Sequence, residues 1–268
     1  MPIRFRALCS GSSGNSVMVW DNDTRLLIDC GVRAQYRCRE MLDRFAAGSP
    51  PLSAVVVSHL HSDHINYSSL RVIEERRVPI YVHDANTPML SRLHFRNHPF
   101  SDLDVRSFGD QDFTVGGFRL RPVGLPHAGH GSTHGFVVAS AGDGRGVRLA
   151  LATDLYDWAG IVQEFVDADF VYLEANHDPE LLRRRPNPNS AYHLENRCSA
   201  EFLCEILRRS RRAPLAVMLA HLSEERNTPQ IALSTVRAVL REAGCPPPHL
   251  HVAPRHTPSP TIELDDAP

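Results

Sequence analysis

The chain has 268 residues, 42% of them hydrophobic, and a formal net charge of −2 at pH 7. This length and composition allow one large domain or two small ones, and the near-neutral charge does not require a polyanionic partner. No apolar run reaches the roughly 18 residues of a membrane span, and the N-terminus lacks the apolar segment of a secretory signal. Six scattered cysteines without a CxxC pair predict reduced thiols in a cytoplasmic location.

The first half of the chain is predicted to be rich in β-structure. Apolar runs bounded by turn residues indicate strands, with two helices between them. The predicted strands are Ile3–Cys9, Ser16–Trp20, Arg25–Asp29, Ala54–Ser58 and Ile80–His83, and the predicted helices are Gln35–Ala46 and Ser68–Arg77. From Asp112 to Ala152 the pattern is again β, interrupted by Gly-rich turns.

The second half alternates strands and helices. These elements are strand Phe170–Glu174, an irregular loop at 186–190, helix Ala200–Arg209, strand Leu215–Ala220 and helix Pro229–Glu242. Two β-rich halves, each followed by helices, predict an α/β fold in which a β-sandwich carries helices on its outside. Residues 1–253 are predicted to form one domain. The Pro-rich acidic tail, 254–268, is predicted to be disordered.

The stretch VVVSHLHSDH, residues 55–64, joins an apolar strand to a dense group of metal-ligand residue types. Residues two apart in an extended chain point the same way, so His59 and His61 can bind one metal ion together. Asp63 and His64 follow the bend and can face a second ion. A polar loop that is merely His-rich is the less favoured interpretation, because burying so many imidazoles without partners is costly.

Three later segments each place one potential ligand at the end of an apolar strand. His127 follows RPVGLP, Asp154 follows LALAT and His221 follows LAVMLA. Each alone would be an ordinary surface or hydrogen-bonded residue, but together they complete the ligand set that the first motif begins. Nitrogen and oxygen ligands without a thiolate suit Zn²⁺, with Mn²⁺ or iron as alternatives.

The HLHSDH element, with His127, Asp154 and His221, resembles the metallo-β-lactamase fold superfamily over nearly the whole chain. The stretches LCSGSSGNS, LIDCG, TDL, LEANHD and HLSEERNTP resemble its WalJ/YycJ-like branch. This resemblance implies an αββα four-layer sandwich with a dinuclear metal site at one edge, holding two divalent ions, zinc foremost. The ligands it implies are His59, His61 and His127 for one ion, Asp63, His64 and His221 for the other, and Asp154 as the bridge.

The resembling branch is associated with phosphodiester hydrolysis. The resemblance therefore implies a phosphodiesterase or nuclease that uses a metal-bridging hydroxide, with DNA favoured over RNA and a 5′-to-3′ DNA exonuclease as the most specific form. The chain between Asp154 and His221 is too short for the RNA-clamping domain of RNase J-type enzymes. The alternatives are a small-molecule hydrolase of the same fold, for a cyclic phosphodiester, thioester or lactam-like substrate, and a non-catalytic metal-binding protein.

Three residues are predicted to take part in catalysis. Asp63 is a candidate to orient the hydroxide, and His193 and His177 are candidates to protonate the leaving oxygen. In the resembling branch the segment around His193 usually reads Gly-His-Leu-Ser-Asn. Here Tyr192 and Glu195 replace Gly and Ser, and a carboxylate at that position would repel a phosphate.

The loop SGSSGNS, residues 10–16, lies between two predicted strands. It lacks the Lys and the following helix of a Walker loop, so it is predicted to be a hairpin turn. The resemblance places this hairpin at the metal edge, and Ser12, Ser13 and Asn15 are therefore predicted to bind a substrate phosphate. Asn196, in the segment SAYHLEN, is predicted to bind substrate as well.

Overall fold

The computed structural model describes residues 2–46, 48–129, 131–141 and 146–265. Its strands form two seven-stranded sheets. In chain order the strands are β1 Ile3–Cys9, β2 Ser16–Trp20, β3 Arg25–Ile28, β4 Ala54–Val56, β5 Ile80–His83, β6 Val105–Phe108, β7 Phe113–Val115, β8 Phe118–Leu125, β9 Thr133–Ser140, β10 Arg148–Ala152, β11 Phe170–Glu174, β12 Ala216–Ala220, β13 His249–Val252 and β14 Ile262–Leu264.

The two sheets share one pattern of strand directions. The first sheet has the order β14-β1-β2-β3-β4-β5-β6, and the second has the order β13-β12-β11-β10-β9-β8-β7. In the first sheet β3, β4, β5 and β6 are parallel neighbours, and in the second β10, β11, β12 and β13 are. Parallel strands end at the same edge of a sheet, so residues that follow them are brought together.

Helices cover the outer faces of both sheets. They are α1 Gln35–Met41, α2 Tyr67–Glu75, α3 Thr87–His94, α4 Val162–Phe165, α5 Pro179–Arg184, α6 Asn196–Arg209 and α7 Pro229–Glu242. A π-helical turn, Leu42–Ala46, extends α1, and a 3₁₀ turn, Pro188–Tyr192, follows α5. None of the described helices has the length and apolar character needed to cross a membrane.

Three apolar clusters correspond to the interfaces of a four-layer sandwich. The central one packs the sheets together, with the Phe5 and Phe170 ring centroids 4.5 Å apart. A second buries α1, α2 and α3 against the first sheet, and a third buries α4, α6 and α7 against the second. The predicted αββα fold is therefore confirmed.

The predicted disorder of the tail is wrong for residues 254–265. The edge strand β14 pairs antiparallel with β1, and Leu264 is 1% exposed. Arg4 and Glu263 also form an ion pair at 3.2 Å. Strand β14 itself contains no proline, so its pairing is not interrupted. Residues 266–268 lie outside the described part of the chain.

Other differences from the predictions are small and local. Helix α3 was not predicted from the sequence. Helix α6 begins at Asn196 instead of Ala200, after an extended Glu195. Strand β3 stops at Ile28 because Asp29 has a φ of 63°, which is incompatible with a strand.

Candidate metal centre

The ends of parallel strands position the polar residues of one pocket. Asp29 follows β3 and Asp154 follows β10 after one intervening residue, while His221 directly follows β12. All three have positive φ values, 63°, 66° and 53° respectively. Non-glycine residues adopt this conformation only where the surrounding structure enforces it, and such positions concentrate at functional sites.

The first ligand group joins the HLHSDH loop to the second sheet. One ligand atom from each of its four members lies within 4.8 Å of the others; the members are His59, His61, His127 and Asp154. His127 Nε2 lies 3.3 Å from His61 Nδ1 and 3.7 Å from Asp154 Oδ1. Three imidazole nitrogens and a carboxylate oxygen at this spacing suit a divalent transition metal.

The second ligand group contains Asp63, His64 and His221, again with ligand atoms within 4.8 Å of one another. His221 Nε2 lies 3.6 Å from Asp63 Oδ2, and His64 Nε2 lies 3.8 Å from the same oxygen. Asp154 approaches two members of this group, because its Oδ2 is 3.1 Å from His64 Nε2 and its Oδ1 is 3.8 Å from His221 Nε2. The structure thus places Asp154 between the two groups.

Unpaired buried nitrogens test whether these residues fit metal ions. Within the described part of the chain, His59 Nε2 and His221 Nε2 are buried and make no hydrogen bond. A buried polar atom without a partner costs about 1–3 kcal/mol, and coordination to a cation would remove that cost. The residues present therefore fit a pair of divalent ions.

Hydrogen bonds at the opposite ring nitrogens fix how three of these imidazoles are oriented. His64 Nδ1 lies 2.7 Å from Asp29 Oδ2, and His127 Nδ1 lies 3.0 Å from the Tyr192 carbonyl oxygen. His221 Nδ1 lies 2.9 Å from Glu174 Oε1. Each Nδ1–H donates, which leaves each Nε2 lone pair directed at the ligand group, as metal-bound histidines require.

Asp29 and Glu174 contact the ligand histidines His64 and His221, and sequence reasoning did not identify them. Asp29 also accepts from the Ser58 backbone N–H at 2.8 Å and from the Ser58 hydroxyl at 2.7 Å. Glu174 is fully buried. The motifs LIDCG and LEANHD contain these two carboxylates, so an acidic residue directly after or at the end of an apolar strand was the available signal.

Glu174 also holds His193, the predicted proton donor. His193 Nδ1 lies 2.9 Å from Glu174 Oε1 and 3.8 Å from Asp154 Oδ1. Burial alone would lower the pKa of His193, but the Glu174 carboxylate offsets it and the net shift is upward. Burial would likewise raise the pKa of Glu174, yet the imidazoles of His193 and His221 bring it down to about 2. The structure therefore places an imidazole with a raised pKa beside the ligand groups.

Asn15 contacts the ligand groups from the hairpin loop. Its Oδ1 accepts from the Gly11 backbone N–H at 2.8 Å, and its Nδ2 lies 3.0 Å from His64 Nε2 and 3.3 Å from Asp63 Oδ2. The Asn15 side chain is directed inward and positions Asp63 and His64, instead of lying free for a substrate. Ser12 is exposed and lines the pocket.

Two residues predicted to act in catalysis or binding lie away from the pocket. Asn196 is fully buried and exchanges side-chain hydrogen bonds with Asn227, at 2.8 and 3.1 Å. His177 is buried, forms a β-bridge with Glu195 and is absent from the pocket lining. The structure therefore gives both a role in anchoring the start of α6, and neither is proposed to touch substrate.

A third cluster of His and Asp residues lies apart from this pocket. His83, Asp110 and His134 have ligand-type atoms within 4.8 Å of one another. His83 Nδ1 accepts from the Ala85 backbone N–H at 3.2 Å, so its Nε2 carries the proton that it donates to Asp110. With both nitrogens engaged, His83 has no lone pair to offer a metal ion.

Five of the seven ligand residues line an open pocket of about 490 Å³; they are His61, Asp63, His127, Asp154 and His221. The exposed Tyr192 and the arginines Arg33 and Arg226 line it too. The size of this pocket is within the range of small-ligand sites.

Comparison with known proteins agrees with the fold. The family model of the beta-lactamase superfamily domain matches residues 24–221. The metallo-beta-lactamase fold protein YhfI from Bacillus subtilis has a solved structure that superimposes with a TM-score of 0.73 at 18% identity, covering 98% of this chain and 99% of that one. At this identity the structural likeness shows the fold.

Two bacterial proteins are similar over most of their length. Exodeoxyribonuclease YycJ of Bacillus anthracis is 26% identical over 258 residues, which cover 91% of either chain. Exodeoxyribonuclease WalJ of Streptococcus pneumoniae is 26% identical over 256 residues, covering 90% of this chain and 89% of the relative.

Proposed function

The chain belongs to the beta-lactamase superfamily and to its WalJ/YycJ-like branch, and on this premise we propose that it is a metal-dependent phosphodiesterase acting on nucleic acid. The observation that carries the proposal is the pair of ligand groups sharing Asp154, with a carboxylate-bound imidazole beside them. We propose DNA as the substrate and 5′-to-3′ exonucleolytic cleavage as the reaction, because both similar relatives are named exodeoxyribonucleases.

The two ligand groups would hold two divalent ions, for which the nitrogen and oxygen ligands favour zinc. These ions would supply Lewis acidity toward water and the phosphoryl oxygens. The chain's own residues then divide the remaining work. Asp63 is a partly exposed carboxylate held by the Asn15 amide, and it can accept a proton from a water molecule in the pocket. The Asn15 side chain that holds Asp63 is itself fixed, because Asn15 Oδ1 accepts a hydrogen bond from the Gly11 backbone N–H.

His193 is proposed as the acid that protonates the departing sugar oxygen. Its Nδ1–H donates to Glu174, so its Nε2–H is the proton available for transfer. The Glu174 carboxylate raises the pKa of His193 against the opposing effect of burial, which favours the protonated form that an acid needs. Its side chain is 16% exposed and lines the pocket, so a substrate can reach it.

A substrate panel tests this proposal. Protein loaded with Zn²⁺ or Mn²⁺ is incubated with labelled 5′-phosphorylated DNA, the same sequence as RNA, a cyclic phosphodiester, a thioester and a β-lactam. The His61→Ala variant, which removes one ligand of the first group, is the control. We expect cleavage of DNA that the variant lacks. Turnover of the thioester or the lactam without cleavage of any nucleic acid would overturn the proposal.

A further inference from the structure

A second cavity, of about 810 Å³, lies beside the metal pocket and against α1. We call it the α1 pocket. Arg33 lines both cavities, and the hairpin loop lies between them, with Ser12 in the lining of the metal pocket and Ser13 in that of the α1 pocket. The two cavities are therefore neighbours along one surface.

The lining of the α1 pocket carries an excess of positive charge. Four arginines contribute to it, and Glu40 is the one carboxylate among its described lining residues; the arginines are Arg33, Arg37, Arg44 and Arg255. No carboxylate of the described chain lies within ion-pairing distance of these four guanidinium groups. Arg39 on the same helix differs, because it pairs with Glu75 at 2.8 Å and does not line the cavity.

Three of the four arginines are held by hydrogen bonds to neutral groups, which leave their charge uncompensated. Arg33 Nη2 donates to the Ser12 carbonyl oxygen at 3.2 Å, and Arg255 Nη2 donates to a carbonyl oxygen at 3.1 Å. Arg37 Nε donates to the Tyr36 hydroxyl at 3.0 Å. Guanidinium groups ordered in this way without a carboxylate partner suit contacts with phosphate oxygens.

The α1 pocket also has an apolar lining. It includes Leu8, Val32, Met41, Phe45 and Pro258, which are buried or half-buried, whereas Arg33, Arg37 and Arg44 are exposed. A nucleotide has the matching character, with a flat apolar base and a charged phosphate, and the cavity volume is within the range of small-ligand sites. Stacking and apolar contact with bases, combined with arginines along the backbone, is how proteins bind single strands without reading sequence.

We propose that the α1 pocket binds nucleotides of a single-stranded nucleic acid whose scissile phosphate lies at the metal ligands. This inference rests on the proposed function, since it assigns the path of the strand next to the same site. The arginines hold the phosphates, and the apolar lining residues receive a base. Arg33, which lines both cavities, stands where the strand passes from one to the other.

The test separates long from short substrates. The double variant Arg37→Gln/Arg44→Gln keeps polar, hydrogen-bonding side chains but removes two charges that line only the α1 pocket. Arg237→Gln, an exposed arginine of α7 in the opposite outer layer, is the matched control. Cleavage is measured on a twenty-residue oligothymidylate and on bis(p-nitrophenyl) phosphate. Binding of fluorescein-labelled oligothymidylate is measured on proteins that carry His61→Ala, alone or together with the double variant or with Arg237→Gln.

We expect the double variant to raise KM for the oligonucleotide about tenfold or more, because two charge-assisted contacts are lost. The slope of log affinity against log salt should fall by about 0.7 for each arginine. Hydrolysis of bis(p-nitrophenyl) phosphate, which is too short to reach the α1 pocket, should stay at the wild-type rate. The Arg237→Gln protein should match wild type in all of these measurements.

The outcomes distinguish this inference from the proposed function. Unchanged KM and binding in the double variant, with active oligonucleotide cleavage, would overturn the α1 pocket alone. Equal losses on both substrates would also overturn it, since they would indicate a structural effect. Binding through these arginines without any cleavage would support the pocket and overturn the nuclease proposal, and a wild-type protein that binds no oligonucleotide would overturn both.

Discussion

The proposal that His193 is the proton donor leads to the sharpest prediction, because the need for a proton donor depends on the leaving group. His193→Ala removes the imidazole that lies 2.9 Å from Glu174 Oε1 and 3.8 Å from Asp154 Oδ1. A sugar alkoxide is a poor leaving group that needs a proton as it departs. A p-nitrophenolate departs without one.

The magnitude follows from what the imidazole contributes. General-acid catalysis is worth about 10²–10⁴-fold, or roughly 3–5 kcal/mol of barrier. The buried Glu174 holds the acid in place, since it also accepts from the Leu194 backbone N–H at 2.9 Å and from the Asp154 backbone N–H at 3.2 Å. We therefore expect the full loss in kcat on DNA, and less than about tenfold on bis(p-nitrophenyl) phosphate.

Single-turnover rates on DNA and on bis(p-nitrophenyl) phosphate measure the two losses in His193→Ala. The pH dependence of cleavage is compared between wild type and Glu174→Gln. The rate should fall as pH rises through the His193 pKa, because the acid loses its proton. The Glu174 carboxylate raises that pKa, so in Glu174→Gln the fall should begin at lower pH. Metal content is measured alongside, since Glu174 also binds His221. Equal losses on the two substrates in His193→Ala would refute the assignment of His193 as the acid.

Three further predictions concern the metal ions and the backbone that holds their ligands. Asp29→Asn should weaken metal binding about 10–100-fold, because the carboxylate that accepts from His64 Nδ1–H is lost. A competitive chelator titration measures this, and unchanged affinity would show that the contact is dispensable. Gly31→Ala should lower DNA cleavage at least about 10²-fold, since a Cβ there would lie 1.7 Å from the Asp63 carbonyl oxygen. Circular dichroism should show that the fold is retained. Gly160→Ala, with open space around the added Cβ, should have no effect. Chelation with EDTA should abolish cleavage and lower Tm, because bound ions stabilise only the folded chain, and a Tm indifferent to added Zn²⁺ would argue against bound metal.

The sequence predicts the HLHSDH loop well because four ligand-type residues directly follow a buried strand. The single ligands His127, Asp154 and His221 are harder to identify, since each is one polar residue after an apolar run. They become recognisable only when the strands are expected to end at a common edge. The structure brings all of these residues together at that edge.

The residues that orient the ligands could not be assigned from the sequence. Asp29 follows β3 and contacts His64 only because β3 and β4 are parallel neighbours. Glu174 reaches His221 for the same reason, as β11 and β12 are parallel neighbours. Such contacts depend on strand order, which the local pattern of apolar and polar residues does not encode.

The hairpin loop shows a different limit of sequence reasoning. A loop of Gly, Ser and Asn beside a metal site suggests side chains that face a substrate. In the structure the Gly11 N–H donates a hydrogen bond to Asn15 Oδ1. The Asn15 amide nitrogen is thereby directed toward Asp63 and His64. The loop is therefore a turn at the rim of the site, and Asn15 contributes by holding metal ligands.

Metal content and phosphodiester cleavage, measured on the same sample, test the central claim most directly. Metal-free protein is titrated with Zn²⁺, or with Mn²⁺, and the number of bound ions is compared with the rate of cleavage of 5′-phosphorylated DNA. We predict two ions per chain and a rate that rises with occupancy, with both reduced in His61→Ala. Two bound ions with no cleavage of DNA or RNA, or cleavage that persists without metal, would contradict the claim.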